Sequence, residues 1–100
     1  MFDEIINEIE TRCKNPLETQ SSIAISYANM LCCLDSISDD KIKIANNAIK
    51  TRYPSKSGLA RVKKMAWSIV EKHPTPRVLF LLQWMASKPV FVEPPSNTNR

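Results

Sequence analysis

Apolar residues recur at helical spacing along most of the chain. Phe2, Ile5, Ile6, Ile9 and Cys13 recur at intervals of three and four, which predicts a first amphipathic helix with acids in its first turn. Asn15-Pro16 ends it and is expected to open the next, with Asn15 as N-cap, Pro16 in the first turn and Glu18 at the third position. Helix two, about 16–36, then carries Ile23, Tyr27, Met30, Leu34 and Ile37 on one stripe, widened by Ala24, Ala28 and Leu31. So broad a stripe places this helix at the centre of the core.

Ser38 before Asp39-Asp40 reads as a cap and two acids at a helix start, opening helix three over about 39–52. Its inner side is expected to be Ile42, Ala45, Ala48 and Ile49, closed by Tyr53. A loop follows at Pro54–Gly58, because a residue before proline is driven out of helical geometry. Helix four, about 58–73, buries Leu59, Val62, Met65, Ala66, Ile69 and Val70, and His73-Pro74 ends it. Thr75-Pro76 repeats the cap-then-proline start, and helix five is expected to run to about Ser87. Apart from Gln83, all of Val78–Ala86 is apolar, so that helix is swallowed by the core or shared with a partner chain. The fold expected is all-α: a compact bundle of about five short helices over 1–87, with a proline-rich tail over 88–100 that is extended or disordered.

Composition narrows the functions open to such a bundle. Its 100 residues make one small domain, and a 43% hydrophobic share supplies a core. One glycine excludes glycine-rich phosphate loops and dinucleotide fingerprints. A single histidine argues against most acid–base and metal chemistry, and no nucleophile has a basic partner whose proximity the sequence implies. Cys32 and Cys33 are adjacent, so on a helix they point about 100° apart and cannot chelate one ion as a CxxC pair does. No enzyme, no cofactor and no metal site is therefore expected. An odd number of cysteines and an acidic N-terminus predict reduced thiols and a cytoplasmic or otherwise intracellular location. The longest apolar run is too short to span a bilayer, so no membrane partner is expected.

The formal net charge of +4 conceals an asymmetry. Asp3, Glu4, Glu8, Glu10, Glu18, Asp35, Asp39 and Asp40 make the first half acidic, whereas the second half has only Glu71 and Glu93. Between Asp40 and Glu71 there is no acid, while Lys41, Lys43, Lys50, Arg52, Lys56, Arg61, Lys63 and Lys64 all fall there. Such a run concentrates positive potential toward a polyanion. Helical projection groups Lys43, Asn46, Asn47 and Lys50 on helix three, and Ser57, Arg61, Lys64, Ser68 and Lys72 on helix four. Cations interleaved with neutral hydrogen-bonding groups suit a phosphate backbone.

Nucleic acid is thus the expected partner, bound as RNA or DNA duplex with little base specificity through helices three and four. The residues expected to carry it are Lys43, Asn47, Lys50, Arg52, Lys56, Ser57, Arg61, Lys63, Lys64 and Ser68. Lys63 falls inside the apolar arc beside Trp67, where a lysine either snorkels outward or borders a groove. A homodimer through helix five would lengthen the basic strip. Small chains of this kind include accessory proteins of viruses and mobile elements. The rival expectation is an adaptor or inhibitor that docks an acidic partner protein, the same cations serving to steer it.

Overall fold

A computed structural model describes residues 3–72, 75, 76, 79 and 80. Among these residues the fold is all-helical, with four α-helices and one short 3₁₀ turn. The first helix, α1, is Asp3–Lys14, with Asp3 and Glu4 in its first turn and Arg12 and Lys14 in its last, each sign matched to the helix dipole. Ile6, Ile9 and Cys13 turn inward, as their spacing predicts. Glu8 and Arg12 pair at 3.4 Å and then clasp α2, where Arg12 donates to the Ser22 carbonyl at 2.7 Å and Ser26 Oγ donates to Glu8 at 2.9 Å.

Helix α2 is Gln20–Leu31, shorter at both ends than the expected 16–36. Its N-cap is Thr19, not Asn15: Thr19 Oγ1 accepts from Ser22 N–H, and Ser22 Oγ accepts from Thr19 N–H. That reciprocal pair satisfies two backbone donors that a helix start otherwise leaves open. Asn15 instead accepts from Leu17 N–H at 3.0 Å, which bends the chain locally. At the far end Cys33 N–H reaches Met30 O at 2.9 Å, tightening the last turn before the 3₁₀ segment Leu34–Ser36. The expected stripe survives this shortening. Ile23, Tyr27, Met30 and Leu34 are fully buried and Ile37 nearly so, the last two entering the core from the 3₁₀ turn and the residue that closes it.

Helix α3 is Asp39–Arg52, capped by Ser38, whose hydroxyl accepts from Lys41 N–H. Helix α4 is Lys56–Glu71, starting two residues before the expected Gly58. Gly58 is buried where a Cβ would lie 2.5 Å from both Tyr53 Cβ and the Tyr53 carbonyl oxygen, so α4 starts folded tightly against the end of α3. Helix α1 packs on α2 and α3, and α4 packs on the same two, the broadest contacts being α2 with α4 and α1 with α3. Around this core Tyr27 O–H donates to Asn46 Oδ1 at 2.7 Å, a buried polar link between α2 and α3.

Of the expected fifth helix only an initial turn is described, with Leu79 N–H donating to Thr75 O at 3.0 Å. Its continuation to Ser87, the tail over 88–100, His73-Pro74 and the homodimer expected through helix five lie outside the described residues.

Candidate nucleic-acid interface

The cations divide by helix. On α4, Ser57, Arg61, Lys64, Ser68 and Lys72 are all exposed at steps of four, three, four and four, forming one stripe along the outer side, with Lys56 also exposed at the helix start. Among the described residues no carboxylate pairs with Arg61, Lys64 or Lys72. The spacing follows from the opposite face: Gly58, Val62, Ala66 and Val70 are buried, so residues half a turn away must face water.

On α3 the polar side chains divide. Lys43, Asn47 and Lys50 are exposed, but Asn46 is buried beneath the Tyr27 hydroxyl and leaves the polar face assigned to it. Asn47 lines a depression of about 260 Å³ between α1 and α3 with Glu10, Cys13, Lys14, Ala48 and Thr51. Lys41 is held by Asp3 at 2.6 Å, and this pairing holds the exposed Asp3 carboxyl below its usual range.

Arg52 is engaged within the fold. Expected to meet phosphate, its guanidinium instead donates to four carbonyls of the α1–α2 connection: Cys13 at 3.2 Å, Asn15 at 2.7 Å, Pro16 at 3.4 Å and Glu18 at 2.6 Å. The planar fork suits several acceptors at once, and these carbonyls lie at the end of α1 and in the turn after it, where the helix leaves its last carbonyls without intrahelical donors. The same group sits 5.6 Å from the Tyr53 ring centroid. Engaged in this way, Arg52 fastens α3 to the loop after α1. Lys63 is half-buried beside a Trp67 that is only 3% exposed, so Trp67 belongs to the core and does not border an open groove.

A feature absent from the sequence reading lies on the other flank of the α4 stripe. Between α2 and α4 a groove of about 390 Å³ is lined by Ser21, Ile25, Lys64, Met65, Ser68, Ile69 and Lys72. Ile25 is 50% exposed, outside the Ile23–Tyr27–Met30 stripe that turns inward. That off-stripe isoleucine, one turn after Ser21, was the available signal.

The cysteines are free: Cys13 is buried, Cys33 half-buried and Cys32 exposed. Burial pushes the Cys13 thiol up, partly offset by nearby Arg52. Among the described residues no group of three or more His, Cys, Asp or Glu side chains is placed to hold a metal ion, and no helix is long and apolar enough to cross a membrane. No family model, curated protein or solved structure matches this chain.

Proposed function

We propose that this domain is a non-enzymatic nucleic-acid binder that seats a phosphate backbone along α4. The observation that carries this reading is the outward stripe of Arg61, Lys64 and Lys72, with Ser57 ahead of Arg61, Ser68 between Lys64 and Lys72, and no carboxylate paired to these cations among the described residues. Cations displace condensed counterions and hydroxyls position the strand, so affinity comes from phosphate and owes little to base identity. Lys56 at the start of α4 and Lys50 near the end of α3, both exposed, extend the charged surface. Arg52 takes no part, its donors being spent on the loop carbonyls.

The test is an electrophoretic shift panel of duplex and single-stranded RNA and DNA against the purified protein, repeated at rising salt. Binding that weakens steeply with salt, and weakens further in Arg61→Gln and Lys64→Gln, is the expected result. A chain that shifts none of these at low salt returns the cations to the steering of an acidic partner protein.

A further inference from the structure

We infer that the groove between α2 and α4 takes an unpaired base, so that the nucleic acid bound along α4 is a single strand and not a duplex. This rests on nucleic acid being the partner of the α4 stripe. Two parallel basic stripes on α3 and α4 would match the two phosphate rows of a duplex. The folded chain thins the α3 stripe: Lys43, Asn47 and Lys50 stay exposed, but Asn46 is buried and the neighbouring Arg52 is tied to the α1–α2 loop, whereas the α4 stripe is exposed along its whole length.

What lies beside the α4 stripe is apolar. Ile25, Met65 and Ile69 supply the apolar part of the groove's lining, and Lys64 and Lys72 line it with them. Those two lysines are eight residues apart on one helix, hence about 12 Å apart along its axis, so they engage separate phosphates of one strand. In a duplex the base faces are stacked on one another and hidden from such a lining. In a single strand each face is exposed, and a positively charged track beside an apolar platform is the general means of holding it. The platform here is aliphatic, with the polarizable Met65 thioether suited to packing on a ring. Ser21 and Ser68, one on each helix, supply hydroxyls for a base edge or sugar. The volume, about 390 Å³, falls within the range of clefts that take small molecules.

Fluorescence anisotropy on the full chain tests this at low salt. The probes are short labelled oligo-dT and oligo-U strands, a matched mixed-sequence DNA duplex, and an oligo-dT in which alternate nucleotides are abasic. Intact single strands are expected to bind at least about tenfold tighter than the duplex, and the abasic strand to fall toward the duplex. Ile25→Ser, at a half-exposed position where folding is readily confirmed by circular dichroism, is expected to weaken intact strands about fivefold and leave the duplex unchanged. Lys64→Gln weakens every probe. An oligo-dU strand set beside oligo-U shows which sugar the site takes, since the two differ only in the 2′-hydroxyl. If duplex binds as tightly as single strand, or the abasic strand as tightly as the intact one, the groove holds no base while phosphate binding by α4 stands. If no probe binds at all, both readings fall together.

Discussion

At the scale of single residues, two polar side chains hold the helices together, and each has a measurable consequence. Arg52 links the end of α3 to the carbonyls of Cys13, Asn15, Pro16 and Glu18. Water can replace part of this bonding at a half-exposed site, so Arg52→Ala is expected to cost about 1–2 kcal/mol in urea unfolding. Arg52→Lys should recover little of that, because an ammonium cannot span the four acceptors as a planar fork does. Tyr27 is the second. Fully buried and donating to Asn46, its phenol is pushed by burial far above the ordinary value near 10. Above that pH the unfolded chain releases this proton while the folded chain keeps it, so the folded state binds more protons and stability falls as pH rises. The limiting slope is about 1.4 kcal/mol per pH unit. Cys13, also raised by burial, adds to the loss from around its ordinary value of 9.0. Chemical denaturation from neutral to strongly alkaline pH should show Tyr27→Phe less stable at neutrality by about 1 kcal/mol, but with a shallower alkaline decline. Parallel declines would assign the alkaline loss to other groups.

At the scale of helices, the inward stripes were legible in the sequence and the ends were not. Ile6, Ile9, Ile23, Tyr27, Met30, Ile42, Ile49, Val62 and Val70 all turn inward, because three-to-four spacing is a property of the helix itself. Ser38 was legible as a cap for the same local reason. The start of α2 was misread because Asn15, Pro16 and Glu18 satisfy a capping pattern that loses to Thr19 with Ser22, and the carbonyls around Pro16 face a guanidinium 36 residues away in sequence. No local rule contains that donor. Gly58 shows the same limit, for intrinsic propensity favours alanine over glycine inside a helix by up to about 1 kcal/mol. Here the added methyl would meet Tyr53 backbone at 2.5 Å, where little can give way. Gly58→Ala is therefore expected to destabilise by about 2 kcal/mol or more, the reverse of its propensity effect. A thermal melt of the variant at or above wild type would show that α4 shifts freely on α3.

Across the whole molecule the charge asymmetry of the sequence becomes a spatial one. The carboxylates of α1 reach the region of α3, where Asp3 pairs Lys41 and Glu10 flanks Asn47, but no described carboxylate pairs with the stripe on α4. A count of charges along the chain sees an acid-free run, whereas the fold decides how each cation is engaged: Arg52 is half-buried against loop carbonyls, while Lys50, Lys56, Arg61, Lys64 and Lys72 are exposed. The groove that adjoins them was not legible, because Ser21 and Ile25 come from a helix remote in sequence from Met65 and Ile69. The exposed set makes the salt dependence of binding a quantitative check. On the proposed reading Arg61, Lys64 and Lys72 with Lys50 and Lys56 neutralise about five phosphates, and for a single strand each contributes about −0.7 to the slope of log affinity against log salt. The slope expected is therefore about −3 to −4, a loss of roughly sixtyfold to 250-fold between about 50 and 200 mM salt. Lys64→Gln should reduce its magnitude by about 0.7, and Arg52→Gln, assayed where the variant remains folded, should leave it unchanged. If Arg52→Gln flattens the slope as much as Lys64→Gln does, the guanidinium leaves the loop carbonyls for phosphate, and the interface extends back along α3.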